Sequence, residues 1–132
     1  VYAIEVQKEM LERLKNEARG ARLHNLEVIW GDVEKPGGTH LKDSAVDAVV
    51  ISNILFQLDD KPGAAKEARR VLKSGGRALV VDWSGSFGRM GPDPAHVVTE
   101  QSARTLFEQN GFQFVKSISA GAHHYGMIFR KS

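Results

Sequence analysis

The chain has 132 residues, room for one domain and not two. Its 42% hydrophobic and 26% charged residues exclude a disordered or collagenous chain, and no run approaches the roughly 20 apolar residues that span a bilayer. Eighteen Lys+Arg against 16 Asp+Glu leave only +2 with no basic block, so neither nucleic acid nor membrane is an expected partner. Zero Cys excludes disulfides and Cys-ligated zinc and fits a reducing, cytoplasmic compartment.

Val1 to Glu5 reads as a short strand. A chain that opens inside an apolar run is either a domain that begins with a strand or one lacking the start of its fold. From Val6 to Arg19 the residues Val6, Met10, Leu11, Leu14 and Ala18 recur at helical spacing. Lys8–Glu12 and Glu9–Arg13 sit four apart on the other face, and Gly20 offers a stop. Glu27 to Trp30 is the next strand, closed by Gly31-Asp32, and 34–38 is loop by composition.

Ala45 to Ile51 is nearly all apolar and β-branched, the composition of a strand buried on both faces. Asp59 or Asp60 caps a helix whose stripe is Ala64, Ala65, Ala68, Val71 and Leu72, ending at Lys73-Ser74-Gly75-Gly76. Arg77 to Trp83 is another buried-type strand, and 84–98 a long Gly- and Pro-rich loop. Thr99 then caps a helix carrying Ala103, Leu106 and Phe107, with Gly111 past its end. Phe112 to Ser119 and Tyr125 to Arg130 are two strands joined by a turn short enough to require antiparallel pairing.

The order β-α-β-β-α-β-α-β-β implies parallel crossovers: an α/β, Rossmann-like, mostly parallel sheet with helices on both faces and an antiparallel C-terminal strand. Ligands of such sheets collect at the C-terminal ends of the parallel strands. Five segments should therefore share one edge: Glu5-Val6, Gly31-Asp32, Ser52 to Leu58, Asp82 to Val98, and Ala120 to Tyr125.

Four segments resemble the class I S-adenosylmethionine-dependent methyltransferases, starting from that family's second strand. Tyr2-Ala3-Ile4-Glu5 resembles the second strand with its terminal acid, and Gly31-Asp32-Val33 the segment after the third. Asp47 to Leu55 resembles the fourth strand and its loop. Leu72-Lys73-Ser74-Gly75-Gly76 and the strand after it resemble the "L-K-P-G-G" turn into the fifth, with Ser74 in place of Pro. Asn110-Gly111-Phe112 and the closing strands fit the sixth and seventh, so the likeness covers nearly the entire chain.

The family's first strand and Gly-rich loop have no counterpart here. Gly85, Gly88 and Gly91 follow a strand but open no helix, and read as a flexible loop. The family's first strand lies at the sheet's centre, between its second and fourth. Without it the second strand could close onto the fourth, another copy could donate a strand, or the chain could be a fragment of a longer product. Exposed strand edges make a homodimer an expected partner arrangement.

Glu5, a carboxylate at a strand tip, suits both hydroxyls of a ribose, though an acid starting a helix is equally served by the helix dipole. The resemblance implies the ribose role, with Val6 on the adenine face, Asp32 accepting from the adenine amino group, and the Val33 backbone at the ring edge. It places Ser52 and Asn53 near the methionine portion. The bland alternatives are a Gly-Asp turn at Asp32, a cap at Asn53 and core packing for Val6. Phe56 and Leu58 would wall the site, and Trp83 and Tyr125 the substrate pocket.

His96, His123 and His124 fall on the same edge, and His96 and His124 are the candidates for a general base. Adjacent strand residues point to opposite faces, so a metal site built from these histidines with Asp93 is not expected. The resemblance implies methyl transfer from S-adenosylmethionine, and sparse aromatics with low basicity suggest a small-molecule acceptor. Two rivals stand beside it. One is a nicotinamide-binding Rossmann fragment; the other is a non-catalytic methyltransferase-fold remnant acting in association.

Overall fold

Helices begin where side-chain chemistry allows it. Asp60 Oδ1 accepts from the Gly63 N–H at 2.9 Å, and Thr99 Oγ1 from the Ser102 N–H at 3.1 Å, each satisfying a donor that the first helical turn leaves free. The computed structural model describes residues 1–132. In chain order it contains β1 (Tyr2–Glu5), α1 (Lys8–Gly20), β2 (Glu27–Trp30), β3 (Val46–Ser52), α2 (Lys61–Val71), β4 (Leu72–Trp83), α3 (Glu100–Glu108), β5 (Phe112–Ser119) and β6 (His124–Lys131). Short 3-10 turns lie at Leu55–Gln57 and Pro94–His96.

The strands form two sheets. β1 and β2 pair in parallel, while the second sheet runs β3-β4-β6-β5, with β3 parallel to β4 and the rest antiparallel. α1 packs on β1 and β2, whereas α2 and α3 pack on each other and on the four-stranded sheet. β1 and β3 do not hydrogen-bond to one another, so the closure of the second family strand onto the fourth, one of the three possibilities, does not occur.

The core lies between the four-stranded sheet and the pair α2–α3. Ala65, Leu72, Ala78, Val80, Ala103, Phe107, Met127 and Phe129 are fully buried there, and Phe107 stacks on Phe129 at 5.1 Å. All five residues of the expected α2 stripe are buried.

Expectations for three elements need correction. β3 is not buried on both faces: its outer edge has no strand beside it and Val50 is 67% exposed. β4 is buried on one face only, with Ala78, Val80 and Asp82 at 0% while Leu79, Val81 and Trp83 are half-buried. It also begins at Leu72, not Arg77, because Leu72 pairs with Val46 before a bulge that resumes at Ala48–Arg77. The first helix begins at Lys8 rather than Val6, which is exposed; within α1 Leu11 and Ala18 are buried but Met10 is exposed, and the ion pair formed is Glu12–Lys15 rather than the two expected.

Candidate functional site

Three strand tips converge on one cavity of about 230 Å³. Its walls come from the end of β1 and the turn after it (Ile4, Glu5, Val6, Gln7), the segment after β2 (Gly31 to Glu34), and the segment after β3 (Ile54, Gln57, Leu58). The cavity therefore bridges the two sheets at the C-terminal ends of parallel strands, where open α/β sheets bind ligands. Glu5, Val6, Asp32 and Val33 all line it.

Both carboxylates are held locally and keep an oxygen to spare. Glu5 Oε1 accepts from the Gln7 N–H at 3.0 Å, orienting the side chain at the start of α1, while no hydrogen bond engages Oε2. Asp32 Oδ1 accepts from the Glu34 N–H at 3.0 Å in a local turn, which leaves Oδ2 free. The helix-start and turn alternatives thus describe one oxygen of each group, and the second oxygen is available to a ligand.

The loop carrying Asp32 is built by close backbone approach. Asp32 N–H donates to Gly38 O at 3.0 Å, and a Cβ on Gly38 would overlap the Asp32 carbonyl. Glu67, 2% exposed on α2, anchors the same loop by accepting from the Gly37 N–H, the Thr39 N–H and the Thr39 hydroxyl. Arg70 closes the network, donating to both Glu67 oxygens at 2.8 Å. Burial pushes the Glu67 carboxyl up, but the bonds from Arg70, Thr39 and Gly37 outweigh it and hold the group at about 2.

Ser52 and Asn53 are exposed at the end of β3 and do not line the cavity; Asn53 takes φ +59°, a left-handed conformation that Asn tolerates, and Ile54 beyond it enters the wall. Leu58 is in the wall, whereas Phe56 points elsewhere and is half-buried.

The remaining two segments meet each other rather than this cavity. Trp83 packs on His124 with ring centroids 4.3 Å apart, Phe87 packs on His123 at 4.2 Å, and Ser84 N–H donates to His123 O. His123 Nδ1 and His124 Nε2 are buried without a hydrogen-bond partner. Tyr125 is buried, and its hydroxyl donates to Val98 O at 2.8 Å, which makes it an anchor of the long loop. His96 sits exposed on the 3-10 turn with its N–H bonded to Asp93 O, and no three His, Asp or Glu side chains form a metal-holding group.

A larger groove of about 290 Å³ lies among Asp43, Ser44, Lys66, Arg69, Arg70 and Lys131. It has no apolar lining, and Arg69, Arg70 and Lys131 all donate to carbonyls or carboxylates of the chain itself. Those bonds brace the fold and leave little for a ligand.

Residues 1–80, more than half of the chain, match the family described as methyltransferase domain. The chain belongs to that family. A SAM-dependent methyltransferase from Aquifex aeolicus superposes on 100% of the chain with a TM-score of 0.89 at 25% identity, the chain spanning 69% of that protein. A protein from Pyrococcus horikoshii superposes on 100% with a TM-score of 0.82 at 18% identity, 71% of its own length being covered. A SAM-dependent methyltransferase from Methanosarcina mazei gives 99%, 0.80, 18% and 81% respectively. Because the superposition on the Aquifex enzyme takes in every element, the β1–β2 pair and the four-stranded sheet stand to one another as in a longer methyltransferase.

The Asp82 carboxylate does not line the cavity but bonds to the segment that forms one of its walls, and its sequence context marks it only as the polar end of an apolar strand. It is fully buried at the tip of β4 and accepts from the Leu55 N–H at 2.9 Å and the Trp83 N–H at 2.8 Å. An acid after Ala-Leu-Val-Val, like Glu5 after Tyr-Ala-Ile, is the signal that could have singled it out.

Proposed function

We propose that this methyltransferase-family chain binds S-adenosylmethionine at the β1–β2–β3 rim and passes its methyl group to a small-molecule acceptor. One observation carries the reading. Glu5 and Asp32, on separate strand tips, line a single cavity whose other walls include the apolar Ile4, Val6, Ile54 and Leu58, and each carboxylate has an unengaged oxygen. A nucleoside offers hydroxyls, an amino group and an apolar face to match that set. The cavity is smaller than the roughly 300–1,000 Å³ of a complete ligand pocket, so it suits the nucleoside portion, with the rest extending past Ser52 and Asn53.

In this reading Glu5 takes the ribose hydroxyls, Val6 the adenine face, Asp32 the adenine amino group and the Val33 backbone the ring edge. The cofactor supplies a methyl group on a sulfonium, reactive enough that alignment and exclusion of water are the main contributions asked of the protein. The acceptor is assigned to the side bearing Trp83, Phe87 and His123. His124, whose Nε2 has no partner, is the group that removes a proton when the acceptor carries one; His96 is too exposed to be preferred. The unpaired β1 and β3 edges support a homodimer formed through them, and the cysteine-free composition suits the cytoplasm.

Calorimetric titration with S-adenosylhomocysteine and, separately, NADH tests the reading. Heat with the first and none with the second is expected. Binding of NADH alone would favour the nicotinamide reading, and no heat from either at millimolar ligand would favour a non-catalytic remnant acting in association.

A further inference from the structure

The turn at Leu55–Gln57 has no cap of its own: Ile54 precedes it and contributes no side-chain hydrogen bond. Its first N–H is instead taken by Asp82 Oδ2, from a neighbouring strand 27 residues away. The other carboxylate oxygen takes the Trp83 N–H, and the Phe56 N–H also favours the charged form. Burial, the largest influence, raises the Asp82 carboxyl above its ordinary range, and the backbone donors with the nearby His124 work against that rise.

The consequence is geometric. The segment pinned by Asp82 supplies Ile54, Gln57 and Leu58, one of the three walls of the cavity. Leu55, between them, is fully buried and turned into the core, while the Asn53 N–H is fastened to Val81 O at 2.9 Å. β4 thus grips the segment twice, through a carbonyl at Val81 and a carboxylate at Asp82. The cross-strand partner of Asp82 is Tyr125, which holds the end of the 84–98 loop through Val98 O. Two adjacent buried polar groups therefore fasten the cavity-wall segment and, separately, the end of the 84–98 loop.

We propose that Asp82 is a positioning residue for the cofactor: by capping the Leu55–Gln57 turn from β4 it fixes the Ile54–Leu58 wall against which the nucleoside packs. The inference rests on the cofactor reading above. Asn in place of Asp keeps the shape but carries one acceptor oxygen where the Leu55 and Trp83 N–H groups need one each, so the pair of bonds that ties the turn to β4 is broken at one member.

The experiment combines S-adenosylhomocysteine titration with amide hydrogen exchange on the wild type and Asp82→Asn. The wild type should bind, and its Leu55 and Phe56 amides should exchange more slowly once ligand is added. The variant should bind roughly tenfold or more weakly, the scale of a buried backbone donor left without its acceptor. Its Leu55 and Phe56 amides should exchange faster while Ile51 and Val80 are unchanged. Wild-type affinity in the variant overturns the proposal, and so does acceleration spread equally over the sheet, which marks a merely structural role. If the variant does not fold, the wild-type measurement decides: Leu55 and Phe56 exchange that ignores the ligand overturns the proposal. A wild type that binds no S-adenosylhomocysteine overturns the cofactor reading itself and this proposal with it, an outcome distinct from the others.

Discussion

Replacing Glu67 by Gln tests how the cavity loop is held. Glu67 accepts five hydrogen bonds, from Gly37 N–H, Thr39 N–H, the Thr39 hydroxyl, Arg70 Nε and Arg70 Nη2, at 2.7 to 3.1 Å. Its carboxyl falls from an ordinary 4.5 to about 2 in the folded protein. The unfolded chain therefore takes up the proton first, and the stability tied to this group is complete above about pH 5 and is lost as pH falls toward 2. A fall of that size corresponds to about 3 kcal/mol, a large part of the 5–15 kcal/mol typical of a domain. Urea unfolding of wild type and Glu67→Gln between pH 7 and pH 3 checks this. At pH 7 the variant should be less stable by about 3 kcal/mol, and the gap should narrow steadily on acidification as the wild type loses its advantage. A gap below about 1 kcal/mol at pH 7, the scale of an exposed ion pair, or one that does not change with pH, would refute the reasoning.

Glu5→Gln should weaken S-adenosylhomocysteine by roughly 10- to 100-fold in calorimetry, since a charged acceptor of two hydroxyls is lost, while the melting temperature barely moves. Gly38→Ala drives a methyl into the Asp32 carbonyl, so urea titration should show a loss of about 1–3 kcal/mol, with weaker ligand binding alongside. Val50→Thr, on the open edge strand, should change stability by less than about 0.5 kcal/mol yet reduce self-association in sedimentation at rising concentration. A large stability loss there would mean that Val50 is covered in solution.

The element order was legible because each element carries its own signal. The Ala64–Val71 stripe, the Asp60 and Thr99 caps and the strand at Phe112–Ser119 are local facts, and the structure places them where they read. The rule that ligands gather at strand tips predicts one shared edge for five segments. It holds for Glu5, Asp32 and the Ile54–Leu58 segment, which share a cavity, while the segments after β4 and β5 meet each other instead. What stayed hidden depends on partners distant in sequence. The Leu72–Gly76 stretch reads as a helix end and turn, yet Leu72 pairs with Val46 and becomes strand. The apolar β3 reads as a doubly covered strand because composition reports the place a strand has in a complete sheet, while its exposure depends on what lies beside it. The Leu55–Gln57 turn is three residues long and takes its cap from Asp82, so no local pattern announces it.

Amide chemical-shift mapping with S-adenosylhomocysteine addresses the central claim most directly. If Glu5 and Asp32 grip a nucleoside against the β3 loop, shifts should concentrate at Gln7, at Asp32 to Glu34 and at Ile54 to Leu58. Shifts centred instead on Trp83 and His124 or on the Lys66–Arg69 groove, or no shifts at saturating ligand, would contradict it.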